Sequence, residues 1–232
     1  MSNSLSALPP RKIASPWLWP LVWGALLLLS VVAMSAAEPL FRWIEPDARQ
    51  VVYDRVDFYV LLGRHLLVVG IAAVVTIVVG VAAGVAVTRT RGADFLPLVG
   101  QLASLGQTFP PVAVLALSVP VLGFGTLPII VALMLYGLLP IVRNTLAGLQ
   151  EVDNTIKSAA HAMGMTPTQT LRQVELPLAA PVILAGIRTS VTINIATAAL
   201  GATVGASNLG DPIISGIVNG NMAYVVQGAL TI

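Results

Sequence analysis

Charged residues in this chain fall between long apolar runs, the pattern expected when each run crosses a bilayer and a charge at its centre is costly. Residues 17–37 are 21 uncharged positions preceded by Arg11-Lys12, with Trp17, Trp19 and Trp23 at the leading end, where an interfacial belt sits. A cleavable signal peptide shares that outline. Three tryptophans, a run longer than a usual signal core and a charged segment behind it favour an anchoring first helix. Residues 66–87 form a second run, rich in Val and Ile and closed by Arg89 and Arg91. Residues 95–142 then hold 48 uncharged positions, and one helix of that length would reach about 72 Å, far beyond the hydrocarbon thickness. The stretch must fold back, and Gly123-Phe124-Gly125-Thr126 is the place for the turn. Pro110-Pro111 and Pro120 interrupt the half before it, which predicts a kinked or stepped helix buried among its neighbours. The half after it is expected to run past Arg143.

Residues 149–176 carry Glu151, Asp153, Lys157, His161, Arg172 and Glu175, the one long polar stretch of the second half, and belong in water. Residues 177–200 read as a further span with Arg188 and Asn194 inside it, and residues 201–210 as a loop. Asp211-Pro212 starts another apolar stretch, broken by Gly216, Gly220 and Asn221. The last candidate helix, residues 222–232, has 11 positions and reaches about 16 Å, roughly half a bilayer. The expectation is that the native chain continues, or that these residues pack inside the protein. The sum is an all-α polytopic helix bundle of five spans plus an incomplete sixth. Its parts are an N-terminal tail (1–16), a first transmembrane helix (17–37), an extracytoplasmic segment (38–60) and a transmembrane domain (61–232) holding a polar loop (149–177).

Composition agrees with this pattern. The chain is 56% hydrophobic and 9% charged with a mean hydropathy of +0.89, against roughly 25% charged residues in a soluble domain. An ordinary soluble globule is excluded. With no cysteine there are no disulfides, thiolate metal sites or cysteine nucleophiles. The net charge of +2 is spread thinly, without the basic stripe that nucleic acid requires. A cytoplasmic N-terminus places Arg11, Lys12, Arg89, Arg91, Arg143, Lys157 and Arg172 inside, against Arg42, Arg49, Arg55 and Arg64 outside. The loop 149–177 then faces the cytoplasm.

Within that loop Asp153 is placed to cap a short helix. Its Ile156, Ala159, Ala160 and Met163 recur on one face, while Lys157, Ser158 and His161 lie on the other. Gly164 is suited to end that helix in the left-handed conformation. Thr166-Pro167-Thr168-Gln169 reads as a fresh start with a capping box, and Pro177 as the stop of the second helix. Two short helices joined through a glycine make a protrusion that fits another protein's groove, the alanines permitting close approach. An amphipathic re-entry loop lying on the bilayer has the same pattern.

Ala159-Ala160, three residues, Gly164, nine residues and then Val174-Glu175-Leu176-Pro177 resemble the Glu-Ala-Ala…Gly…Ile-x-Leu-Pro motif of ABC importer permeases, in a loop two spans from the end. The chain departs at Ser158, where that family has glutamate, and at Val174 for isoleucine. Gly106-Gln107-Thr108-Phe109-Pro110-Pro111-Val112-Ala113, the stretch from Val174 to Ser190, and Leu209-Gly210-Asp211-Pro212-Ile213 are similar to permeases of glycine betaine and related osmoprotectant importers. The resemblance covers the chain from about residue 60 onward. It implies a MetI-like fold in the bacterial inner membrane, with Ser158, Ala159, Ala160, His161, Gly164, Val174, Leu176 and Pro177 coupling to separate ABC ATPase subunits. It also implies a second permease subunit, identical or related, and an extracytoplasmic substrate-binding protein.

The chain has no Gly-x-x-x-x-Gly-Lys-Ser/Thr sequence, and its only lysines are Lys12 and Lys157. It is therefore expected not to be an enzyme: ATP and Mg²⁺ belong to the partner ATPase and no cofactor to this chain. Its aromatic residues after Tyr59 are scattered, so an aromatic cage for a quaternary ammonium is expected on the binding protein. A betaine-like substrate rests on the resemblance, and a methionine or other amino-acid permease of the same fold is the alternative. A secondary transporter lacks the mid-membrane acids it would need, and a purely structural subunit leaves the alanine-glycine spacing unexplained. Arg188 reads as a snorkelling residue rather than a path residue, and Asn194 as an interhelical hydrogen bond rather than a substrate contact. Asp211 reads as the cap of a re-entrant helix rather than a gate, and His65 and His161 are too far apart in sequence to suggest a metal site.

Overall fold

The computed structural model describes residues 18–232, and everything in it is helix, turn or loop. The expected tail 1–16, with Arg11 and Lys12, and Trp17 lie outside the described residues. Helix α1 (Leu18–Ala33) turns by 81° into α2 (Glu38–Ile44), and residues 45–57 lead as an irregular strap into α3 (Phe58–Val87). Then come α4 (Leu96–Thr108), α5 (Pro111–Leu122) and α6 (Thr126–Gln150). The polar elbow holds α7 (Asn154–Ala162) and α8 (Pro167–Thr170), and α9 (Leu176–Ala198), α10 (Asp211–Asn219) and α11 (Met222–Thr231) complete the chain. Among the described residues, three helical stretches are long and apolar enough to cross a membrane on their own, or up to five if each bent pair is one span.

The bundle is built on α3, α6 and α9, which pack along one another through small residues. A Cβ at Gly80 would lie 2.8 Å from Ile141, one at Gly84 2.7 Å from Thr145, and one at Gly186 2.5 Å from Asn144 and 2.7 Å from the Pro140 carbonyl oxygen. Close approach of backbones substitutes here for the hydrophobic drive that lipid does not supply. Ile129, Ala132, Leu133 and Tyr136 of α6 fill the centre together with Val68 and Ala72 of α3, Leu115 of α5 and Ala198 of α9.

Four sequence expectations are corrected. The second span starts at Phe58 and takes Arg64 and His65 into its first turns. A closing charge marks a helix end only when the side chain cannot reach water, and Arg64 is exposed. The proline-interrupted stretch is kinked as expected, α4 and α5 meeting at 98° across Phe109-Pro110, but it is not buried among its neighbours, since much of its apolar surface is exposed. The break is clasped by Tyr136, whose hydroxyl donates to the freed Phe109 carbonyl, while Gln107 Nε2 donates to the Tyr136 carbonyl at 3.0 Å. Pro177 does not stop a helix, as described with the elbow below. The loop expected over 201–210 starts later, because residues Ala199–Val204 continue α9 as a 3₁₀ turn.

The turn between α5 and α6 is where it was expected. Gly123 and Gly125 have φ of +77° and +116°, a region that L side chains avoid, and the Gly125 amide donates to the Val204 carbonyl at 2.7 Å. At the same end of the bundle α10 and α11 form a hairpin whose second helix buries Ala223, Tyr224, Gln227, Gly228 and Thr231.

Candidate functional site: the elbow between α6 and α9

Helix α6 leaves the bundle at Gln150, and Val152 is buried at the corner. Asp153 caps α7: its Oδ1 accepts from the Thr155 amide at 2.7 Å, a bond that holds the exposed carboxyl below the usual carboxylate range. Lys157 Nζ donates back to the Leu149 carbonyl at 3.3 Å, and His161 Nδ1 donates to the Lys157 carbonyl at 2.7 Å. The helix ends at Gly164, φ +84°, after which the Met165 amide donates to the Ala160 carbonyl at 3.1 Å. Thr166 and Gln169 then close a full capping box with Pro167 at the first helical position.

From Pro167 the helix is continuous through α8, a π-helical turn (Leu171–Glu175) and α9. A proline in an ordinary α-helix drives its ring into the carbonyl four residues back. Ahead of Pro177 that carbonyl belongs to Gln173, inside the π turn, where the wider winding pairs the Leu176 amide with the Leu171 carbonyl. The ring is accommodated without a break, so α8 and the long span are one continuous helix.

The residues picked out by the motif divide by direction. Ile156 (43% exposed), Ala159 and Met163 (76% exposed) form an outward apolar ridge, flanked by exposed Ser158 and His161. Ala160 is 1% exposed and faces the body of the protein, so it is not available to a partner. The one-face expectation grouped Ala159 and Ala160, but adjacent helical positions lie about 100° apart and cannot both point outward here. Gly164 and Pro177 are exposed, and Val174 and Leu176 are half-buried. Behind the ridge, Leu149, Ala179 and Ile183 pack with Val81, Val85, Leu171, Leu176 and Ile187, which roots the elbow in α3, α6 and α9 together.

Sequence reasoning missed the residue pair that ties this root together. Arg89, at the end of α3, grips Glu175 with both guanidinium arms, Nη1 to Oε1 at 3.1 Å and Nη2 to Oε2 at 2.5 Å. Glu175 lies just ahead of the apolar part of α9 with its side chain 6% exposed. The Arg89 guanidinium holds its carboxyl below the usual range against the opposing effect of burial. The available signal was Glu175 itself, a carboxylate at the edge of a span in a chain with few acids. Beside the pair is an open cavity of about 430 Å³, lined by Arg91 and His161 among others.

Other candidate residues take different places from those expected. Asn194 is fully buried and neither its Nδ2 nor its Oδ1 has a partner among the described residues, so the expected interhelical hydrogen bond is not formed there. Its neighbour across the seam is Gly137, which presents no side-chain polar group. Asp211 does not act as the helix cap. It is the first residue of α10, and its carboxylate instead accepts from Ser207 Oγ at 2.7 Å and the Asn208 amide at 3.4 Å, bracing the preceding turn. Arg188 is exposed on α9. His65 is buried, its Nε2 3.0 Å from the Ile195 carbonyl oxygen.

Long apolar helices joined by a polar elbow mark a membrane helix bundle. Residues 76–232 match the family described as binding-protein-dependent transport system inner membrane component, and the chain belongs to it. It is 44% identical over 175 residues to the osmoprotectant import permease protein OsmY of Salmonella typhimurium, covering 75% of this chain and 74% of that one. It is 41% identical over 170 residues to the choline transport system permease protein OpuBB of Bacillus subtilis, covering 73% and 77%. Its fold is that of the inward-facing MetNI methionine ABC transporter, with a TM-score of 0.62 at 24% identity over 72% of this chain and 83% of that one. The chain is thus an integral inner-membrane protein of MetI-like fold and a permease rather than a catalytic subunit.

Proposed function

We propose that this chain forms the translocation path of an ATP-driven importer for a quaternary-ammonium osmoprotectant, and that the elbow from Asp153 to Pro177 receives the stroke of a separate ATPase. Ser158, Ala159, His161, Gly164 and the Val174–Pro177 segment form or support the docking surface, with Ala160 packing it onto the bundle. The observation that carries this reading is the exposed Ile156-Ala159-Met163 ridge on α7, joined through the Gly164 turn to the continuous α8–α9 helix that Arg89–Glu175 clamps to α3. A push on the ridge tilts spans instead of bending a loop. The elbow then faces the cytoplasm, as does the N-terminus, and the α10–α11 end faces outward. ATP and Mg²⁺ act on the partner ATPase pair, a second permease subunit completes the path, and a binding protein delivers the substrate from outside.

Betaine-like substrates are favoured over methionine because relatives named for osmoprotectant and choline transport are 41–44% identical to this chain, whereas the methionine transporter shares its fold at 24% identity. The test is uptake into proteoliposomes by the whole assembly, offered glycine betaine, choline, carnitine and methionine. The expected result is uptake of at least one quaternary ammonium, dependent on ATP and on the binding protein. Uptake of methionine alone, or uptake without nucleotide, contradicts the proposal.

A further inference from the structure

At the end of the bundle away from the elbow, the strap 45–57 crosses the α10–α11 hairpin and is pinned there. The buried Gln227 binds it through one side-chain amide: Nε2 donates to the Val51 carbonyl at 2.5 Å and Oε1 accepts from the Tyr53 amide at 3.0 Å. The Tyr53 ring is fixed edge-on between Phe58 and Tyr224, at centroid distances of 6.2 and 5.6 Å. Beside it opens a cavity of about 390 Å³ whose lining includes Tyr53, Arg55, Asp211, Ser215 and Asn219.

The charges of this cavity are arranged in an unusual way. Arg55 is exposed and makes no ion pair among the described residues, and neither does Asp211, whose only side-chain partners are the uncharged Ser207 hydroxyl and Asn208 amide. An unpaired guanidinium and an unpaired carboxylate therefore border one pocket while staying more than an ion-pair distance apart. Both act on Tyr53: its hydroxyl is pushed up by burial first and then by Asp211, with Arg55 opposing. Such a pair is complementary to a small zwitterion lying between them, anion toward Arg55 and cation toward Asp211 and the ring.

We infer that this pocket is a staging site for a zwitterionic quaternary ammonium on the outer face of the permease, Arg55 taking the substrate carboxylate and Asp211 with Tyr53 taking the ammonium. The inference rests on the osmoprotectant reading above. It assigns to Arg55 a discrimination between zwitterions and simple cations, because choline has no carboxylate to offer it.

The experiment uses the complete importer in proteoliposomes and compares glycine betaine with choline for wild type, Arg55→Gln, Arg55→Lys and Asp211→Asn. The expected result for Arg55→Gln is a rise of about tenfold in betaine KM, the loss of one charge-assisted hydrogen bond, with choline KM within about twofold. Arg55→Lys restores most of the betaine affinity, and Asp211→Asn weakens both substrates. Binding-protein affinity, measured separately, stays unchanged. Equal loss of both substrates in Arg55→Gln overturns the site, because it marks Arg55, which also borders the adjoining cavity of Glu45, Asp47 and Arg49, as a contact that does not read the substrate carboxylate. Unchanged uptake of both in Arg55→Gln also overturns it. A wild-type importer that carries none of glycine betaine, choline and carnitine overturns the osmoprotectant reading, and the site with it.

Discussion

Replacing Glu175 by glutamine removes one charge from the clamp between the elbow and α3 while keeping the side-chain volume. Breaking a fully buried ion pair by deleting one partner costs about 3–5 kcal/mol. Here the Arg89 side chain is 33% exposed, against 6% for Glu175, so water screens the pair and re-solvates the arginine, and about 2 kcal/mol is the magnitude to expect. That is roughly a 30-fold shift in the equilibrium between a clamped and an unclamped elbow root. The assay is the ratio of substrate imported to ATP hydrolysed by the reconstituted importer. Glu175→Gln should lower that ratio while leaving hydrolysis largely intact, since the docking ridge itself is untouched. Arg89→Gln should have at least as large an effect, because it strands the more buried carboxylate, and the double variant little more than the larger of the two, because both remove one interaction. Additive losses, or an unchanged ratio in both single variants, would refute the idea that the clamp transmits the stroke. The pair also has a pH signature. Glu175 titrates lower in the folded protein than when unfolded, so its contribution is complete above the ordinary carboxylate range. It disappears as pH falls through the depressed value. Wild type should therefore lose this part of its stability only in acid, and Glu175→Gln should lose less over the same window.

Three further outcomes follow from packing. Gly186→Ala should destabilise the α6–α9 contact by about 1–3 kcal/mol, read as a lowered Tm in detergent, because its Cβ meets Asn144 and the Pro140 carbonyl oxygen; Gly70→Ala, with nothing within 4 Å, should not. Asn194→Leu should be neutral or stabilising by the same measurement, since it removes a buried amide without a partner that costs about 1–3 kcal/mol; a clear loss of Tm would show that the amide is satisfied. Gln227→Leu should strand the Val51 carbonyl and Tyr53 amide at about 2–4 kcal/mol in total, and speed proteolysis of the strap 45–57 without touching the elbow.

Features set by local chemistry were legible in the sequence. The Asp153 cap, the Gly164 terminator, the Thr166–Gln169 capping box and the Gly123–Gly125 turn each depend on residues within a few positions of one another, and all four are present. Features set by three-dimensional partners were not. Arg89 and Glu175 are 86 positions apart, and Gln227 finds its strap 176 positions away. Nothing local marks either pairing. Pro177 was misread because a breaker signal assumes α geometry, and the π turn before it relieves the clash. Ala160 was assigned outward because small residues beside an exposed apolar position look equivalent until the rotation of the helix on the bundle is known. The 98° break at Phe109-Pro110 was foreshadowed by its prolines, but its size depends on the Tyr136 clasp from another helix.

The central claim is that the ridge on α7 is gripped by a nucleotide-consuming partner. This sequence has no cysteine, so single cysteines at Met163 and at Ala160, crosslinked to the ATPase in the assembled importer, are each the one thiol it contributes. The account predicts an ATPase crosslink at the exposed Met163 position, changing with nucleotide, and none at the buried Ala160 position. An intact assembly that gives no crosslink at Met163, or labelling of that position from outside the cell, would contradict it.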